Sequence, residues 1–458
     1  MTTTLGPPDS AAAAPEPPRG GVLAGRFRAP TIGIVMLVTL LAFEAMAVGT
    51  AMPVVARDLN GLALYAWGFS ATLIASLLAI VLSGGWVDRS GPARPLLAGL
   101  VTFVAGLLAS GLAPTMWLFV AGRAVQGVGS GLSMVALYVV IARVYPETLR
   151  PRVFAALSAA WVLPSLIGPA VGGAIAEHAG WRWVFLGLIP LVVPAAALLV
   201  PAMRDLRPAG RAAPTSPVRY LAAVMLAAGA GALLYVLDHP TWVLVPVAAV
   251  AVAGLAFGLT RLLPAGTARL GRGLPSIVAT RGMLSGAFFG MDVFIPLALT
   301  KLHHFSPTQA GVTLTVGALG WSVASQIQGR SRRSRAFFVR LGAVLVTAGI
   351  VGVTLALQVN GWAAAPAWTL GGAGMGFAIS SLSVLTLGQS AEEEQGANSS
   401  ALQISDTLGS SLVVGVAGAL VTGLGTDRLE LGLVVAGALF AAIAALGIVA
   451  ALRLETRP

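Results

Sequence analysis

Four charged side chains stand inside long apolar stretches of this chain, where a charge needs a reason. They are Glu44 in "LLAFEAMAVGTAMP", Arg123 in "AGRAVQGVGSG", Asp292 in "FFGMDVFIPL" and Asp406 in "ALQISDTLGSS". A charge in the middle of hydrocarbon costs about 3 kcal/mol on insertion scales, so such residues are functional candidates. The chemistry open to them is ion pairing and proton exchange. Loss of water favours a neutral carboxylic acid, and a nearby guanidinium favours the carboxylate. A carboxylate whose surroundings alternate can therefore take up a proton in one state and release it in the other. Glu44 close to Arg123 would form such a site, with Arg123 setting how tightly Glu44 holds its proton. Asp292 and Asp406 would be carboxylates of the second half, holding a cationic substrate or another proton. Ser399, Gln403 and Ser410 recur around Asp406 at helical spacing, a polar stripe suited to line a cavity rather than to face lipid. The alternative for each charge is a fixed ion pair that only holds helices together.

The elements that must position these residues follow from composition. Of the 458 residues, 57% are hydrophobic and 10% are charged, with a mean hydropathy of +0.88. A soluble domain of this length needs more charge to cover its surface, so lipid is the expected solvent. The absence of cysteine excludes a disulfide framework and a thiolate metal site. The four histidines form no metal-ligand motif, and no metal or cofactor is expected. The net charge of +11 sits in short loops between apolar runs, which fits membrane topology and not nucleic acid.

A membrane-spanning helix needs roughly 20 apolar residues. Candidates lie near 31–55, 65–87, 95–113, 115–142, 153–176 and 182–200, then near 219–237 and 241–263, then near 283–300, 308–328, 337–357, 362–388, 398–424 and 431–452. The count is about 14, arranged six, two and six. The expected organisation is a disordered cytoplasmic tail over 1–30, a six-helix bundle over 31–201, a linker with two transmembrane helices over 202–274 and a second six-helix bundle over 275–458. The apolar run after Arg28 is too long for a signal peptide. With the N-terminus inside, 23 of the 28 basic residues fall on inner segments, Arg281 among them. Four fall on outer loops and one, Arg123, falls inside a span, which is the positive-inside pattern. Two bundles of six suggest a substrate site near the midplane between them. A channel or a membrane-embedded enzyme is the competing class, but no selectivity filter and no clustered His and acidic residues support it.

Five motifs carry a resemblance. The inner loop "GGWVDRSGPARP" has Gly84, Asp88, Arg89 and Gly91 in the spacing of the loop signature of the major facilitator superfamily; Pro92 and Ala93 stand where a basic residue is usual, and Arg94 follows. "GRAVQGVGSG" is similar to that family's buried-arginine motif, and "PSLIGPAVGG", with Pro164, Gly168, Pro169, Gly172 and Gly173, resembles its antiporter signature. "WRWVFLGLIP" opens the sixth span as in many relatives, and "EAMAVGTAMP" resembles the first-span motif of the 14-spanning drug:proton antiporters, with Pro53 closing it. The resemblance implies an all-α membrane protein of two six-helix bundles plus two inserted helices. It implies a proton-coupled exporter of drugs or other amphipathic molecules, monomeric, in the plasma membrane with both termini cytoplasmic.

It also implies roles. Glu44, Arg123, Asp292 and Asp406 would couple protons. Gly84, Asp88, Arg89, Gly91 and Arg94 would latch the inner ends of the halves, with the start of the thirteenth span as partner. The Gly- and Pro-rich fifth span would bend to open or seal the cavity, and Gln126, Gln403 and Ser410 would line it, with Trp161 and Met46 as further lining candidates. Glu392, Glu393 and Glu394 would pair with "RSRRSR" (330–335) or remain a solvated loop. His303, His304, Asp238 and His239 read as wet loop residues. Competing functions are export of a lipid or a native metabolite, and a non-transporting receptor or scaffold, which does not need buried titratable residues.

Overall fold

The computed structural model describes residues 21–146, 149–203, 217–390 and 394–454; within helices the side chains of a few positions, Asp88 among them, lie outside the description. Among the described residues the regular elements are all helical. Lipid offers no partner to a backbone N–H or C=O, so an apolar chain that crosses it must close those bonds within each segment.

The helices of the first half are α1 (Arg28–Asp58), α2 (Trp67–Ser90), α3 (Ala93–Gly111), α4 (Met116–Val144), α5 (Arg150–Ile175), α6 (Arg182–Leu186) and α7 (Ile189–Met203). The inserted pair is α8 (Pro217–Asp238) and α9 (Val245–Leu262). The second half holds α10 (Leu274–Leu302), α11 (Pro307–Arg330), α12 (Arg335–Ala356), α13 (Ala364–Gln389), α14 (Gln395–Gly423) and α15 (Leu429–Leu452). Local chemistry marks their ends. Thr115 and Ser334 accept N-terminal amides of α4 and α12, and Ser306 with Gln309 forms a capping box on α11. Gly91 ends α2 at φ +76°, a turn that only glycine adopts freely.

α6 and α7 together make one crossing, so the described helices supply the expected fourteen. Thirteen are long and apolar enough to span a bilayer. The other, α11, has the length but carries Thr313, Thr315, Ser322, Ser325, Gln326 and Gln328. Three boundaries differ from the sequence reading. α1 runs from Arg28 to Asp58, three residues beyond each end of the expected 31–55, with Pro53 inside it. α10 begins at Leu274, not near 283, so Arg281 lies inside a crossing rather than in an inner loop. Residues 21–30, expected as tail, are docked: Thr31 Oγ1 reaches the Val22 carbonyl at 2.8 Å and the Tyr145 hydroxyl at 2.8 Å, and buried Phe27 stacks on Tyr145. The rest of the expected tail, 1–20, and Glu392 and Glu393 lie outside the described residues.

In the first half α4 packs on α2 and α3, and α1 on α5 and α7; in the second, α13 packs on α11 and α12, and α10 on α14 and α15. The halves meet chiefly where α5 touches α11 and α2 touches α14. The inserted pair is peripheral. α8 rests on α2 and α14 through a small core of Leu77, Leu226, Ile404 and Leu408, and α9 packs mainly on α8.

The two ends of the bundle differ. Where α5 ends and α11 begins, the backbones touch: a Cβ on Gly173 would run into the Pro307 carbonyl, and one on Gly311 into that of Pro169. Small residues permit that approach. Tyr65 donates to the Val293 carbonyl at 2.8 Å, Ser70 to that of Ser411 at 3.0 Å, and Glu177 accepts from the Thr308 amide and hydroxyl at 3.2 and 2.6 Å. At the opposite end Gly84 of α2, Gly329 of α11 and Gly388 of α13 each face open space. The halves thus touch backbone to backbone at one end, and among the described residues no such glycine contact joins them at the other.

Candidate functional site

Glu44 and Arg123 are brought together. Glu44 lies midway along α1 and faces α4, where Arg123 Nη1 donates to its Oε1; the two side chains are 6% and 4% exposed. The same Nη1 donates to the Gln126 side-chain oxygen, and Arg123 Nε donates to the Gly68 carbonyl of α2 at 2.9 Å. The glycines of α4 make this possible. A Cβ on Gly127 would strike the Thr72 carbonyl, so α4 lies close enough to α2 for Arg123 to reach Gly68. Thr72 Oγ1 returns a bond to the Arg123 carbonyl at 3.0 Å. The result is a nearly enclosed charge pair, its guanidinium held by three α-helices. Gln126, expected at the cavity surface, is fully enclosed, and its amide nitrogen has no partner.

Asp406 is also paired, with a residue that the sequence reading placed elsewhere. Arg281 of α10 grips it with both arms: Nε to Oδ1 at 2.8 Å and Nη2 to Oδ2 at 3.3 Å. Ser285 donates to the same carboxylate, and Gln403 Nε2 stands 3.5 Å from Oδ2. This pair is more open, with Arg281 13% and Asp406 16% exposed. The direction of opening follows from the faces of α14. Ile404 and Leu408 pack toward α8, Ser405 donates to the Val278 carbonyl of α10, and Ser411 meets α2. The remaining face, opposite α8, carries Ser399, Gln403, Asp406 and Ser410 and looks into the cleft between the halves. Gln403 is exposed there; Ser410 is buried, and its hydroxyl donates to the Asp406 carbonyl of its own helix.

Asp292 has no guanidinium. It is partly buried on α10, beside Tyr65 and within reach of the Trp368 indole. Aromatic rings surround that turn. Phe288 stacks on Trp368 at 4.4 Å and meets Trp321 edge-on at 5.6 Å, and Phe294 lies 5.8 Å from Tyr65. An anionic group among ring faces suits an organic cation.

The other expected residues fall as follows. Arg89 and Arg94 are exposed at the end away from the α5–α11 contact, on either side of the Gly91 turn, with Gly84 a turn and a half earlier. Pro164, Gly168, Pro169, Gly172 and Gly173 are buried in α5. Gly168 faces Met46, Gly172 faces Ala47, and Pro169 and Gly173 meet α11, so this stretch joins α1 to the second half. Met46 packs in that contact, whereas Trp161, two turns earlier on the face of Gly168, is 36% exposed. Asp238 accepts a bond from the Trp67 indole and ties α8 to α2, so it is more than a loop residue. His303 bonds the Leu357 carbonyl at 2.7 Å.

Residues 34–414 match the family model of the Major Facilitator Superfamily. The chain is similar to a probable multidrug-efflux transporter of Mycobacterium tuberculosis, 29% identical over 425 residues covering 87% of this chain and 88% of that protein. It is similar to the multidrug transporter protein MdtP of Bacillus subtilis, 24% identical over 428 residues covering 87% and 76%. Its fold is like that of a bacterial homolog of the human lysosomal transporter Spinster, solved in an inward-facing and unoccupied conformation, with a TM-score of 0.66 at 14% identity over 93% and 97% of the two chains. An all-helical chain with thirteen helices long and apolar enough to cross a membrane among its described residues, matched to one family model across most of its length, belongs to the Major Facilitator Superfamily.

Proposed function

We propose that the protein is a proton-coupled exporter of drugs or other amphipathic small molecules that works by alternating access. The observation that carries this reading is the nearly enclosed Glu44–Arg123–Gln126 cluster, a carboxylate paired with a guanidinium inside a membrane-spanning bundle. The names of the relatives support a drug substrate, and the basic residues support the end away from the α5–α11 contact as the cytoplasmic one: Arg89, Arg94 and Arg330 all lie there. On this reading the halves are 31–201 and 275–458, and 202–274 is the linker. The protein is a monomer in the plasma membrane, with cytoplasmic termini.

The cycle follows from the geometry. Substrate enters between the halves past Trp161 and the Gln403–Asp406 stripe, and a cationic group settles near Asp292 or Asp406. The α5–α11 seal parts, with Pro164 and Pro169 allowing α5 to bend, and a proton entering from outside through that opening neutralises Glu44 and releases Arg123, which loosens α1 from α4. The inner ends close through the Asp88 loop against the start of α14. The proton acts at Glu44 and the substrate sits near Asp292 or Asp406, so the two are coupled through the movement of helices between those sites.

Everted vesicles from an efflux-deficient host test this. Expected is dye transport driven by an imposed pH gradient, abolished by an uncoupler and absent in Glu44→Gln. Unchanged proton-driven transport in that variant ends the coupling role of Glu44. Transport of a lipid but of no dye replaces the drug substrate.

A further inference from the structure

We infer that the protein binds the headgroup of an anionic phospholipid in a cleft between the inserted pair and α14. The cleft has a volume of about 370 Å³ and is lined by Val218, Arg219, Arg261, Leu262 and Ala397. Arg219 lies in the first turn of α8 and Arg261 in the last turn of α9, so the helical hairpin brings both guanidinium groups to one end. Among the described residues neither forms an ion pair and no carboxylate lines the cleft; Arg261 lies 5.6 Å from the Phe257 ring centre. The N-termini of α8 and α14 add the positive ends of two helix dipoles. Two unneutralised cations at the end of membrane-crossing helices fit a phosphodiester, and basic pockets between such helices recognise lipid headgroups.

The hydrocarbon side of the same hairpin identifies the ligand as lipid. α9 is only 22% buried over its apolar window. Val250, about three turns from Arg261 on the same face of α9, is exposed, an apolar surface for acyl chains running from the cleft toward the bilayer core. A free phosphate uses the two charges and leaves that face idle; an anionic lipid uses both. The site also explains a peripheral hairpin that carries no mid-membrane charge: it holds a lipid against α2 and α14, the helices on which it rests. This inference depends on the membrane-spanning fold and not on the substrate or the proton coupling.

Native mass spectrometry of the full-length protein, released from detergent after incubation with phosphatidylglycerol or phosphatidylcholine, decides it. The wild type should retain phosphatidylglycerol preferentially. R219A/R261A should weaken that retention by about fivefold for each arginine removed, R219K/R261K should keep most of it, and the distant pair R332A/R333A should leave it unchanged. Equal retention of the two lipids by the wild type overturns the proposal whatever the variants do. So does an equal loss in R219A/R261A and R332A/R333A, which would report only net charge. Displacement of phosphatidylglycerol by millimolar inorganic phosphate would reassign the cleft to a soluble anion.

Discussion

Among the described residues each half of the protein holds one carboxylate–arginine pair that is not exposed, and the two are built differently. Glu44 and Arg123 come from α1 and α4 and are shut in, with Gly68 and Gln126 completing the guanidinium's bonds. Asp406 and Arg281 come from α14 and α10, and Gln403 beside them opens to the cleft. A buried pair is stabilised only when its remaining hydrogen bonds are satisfied, and removing one partner leaves an uncompensated charge. A pair that water can reach loses less. The enclosed pair therefore cannot exchange ions until helices move, whereas the open pair can meet a solute at once. On the proposed reading the first pair serves the conformational step and the second meets the solute in the cleft.

The largest effect should come from breaking the enclosed pair. Arg123→Ala strands Glu44 and should cost about 3–5 kcal/mol, read as a lowered unfolding midpoint in detergent. Arg281→Ala removes charged hydrogen bonds at a wetter site and should cost about 1.5–3 kcal/mol. Equal costs would erase the distinction drawn above. A functional contrast sharpens it. Asp406→Asn should raise KM for cationic dyes while leaving transport responsive to the pH gradient, whereas Glu44→Gln loses that response; the reverse outcome would exchange the two assignments.

A smaller effect is expected at the sealed end. Gly173→Ala pushes a methyl group toward the Pro307 carbonyl and should destabilise the α5–α11 contact by about 1–3 kcal/mol. The chain has no cysteine, so a Ser70→Cys probe reports opening cleanly, and its maleimide labelling from the outer side should accelerate in the Gly173→Ala background. The smallest change should be Glu177→Gln. It removes a negative charge from the N-terminus of α11, worth about 0.3–1 kcal/mol, and should raise the same labelling rate only slightly.

Much of this was legible from residue order. A run of apolar residues around a lone Glu44 marks a crossing with something to neutralise, and Arg123 was the available cation. Arg281 was missed because an arginine ended the apolar count, and the span was started after it. In the folded protein α10 begins at Leu274, and Asp406, from a helix 125 positions later in the chain, reaches Arg281. Glu177 was passed over for a similar reason. Its partner is the exposed amide end of a helix in the other half, which no local pattern announces.

The sequence by itself determined which segments are apolar enough to cross the membrane and that Glu44, Arg123, Asp292 and Asp406 lie within them, because the transfer cost of each residue is a local property. Tertiary structure alone decided which carboxylate meets which guanidinium, which pair is the more enclosed and at which end the halves touch. Those outcomes depend on helices from distant parts of the chain approaching to backbone contact, and hydropathy carries no information about distance between helices.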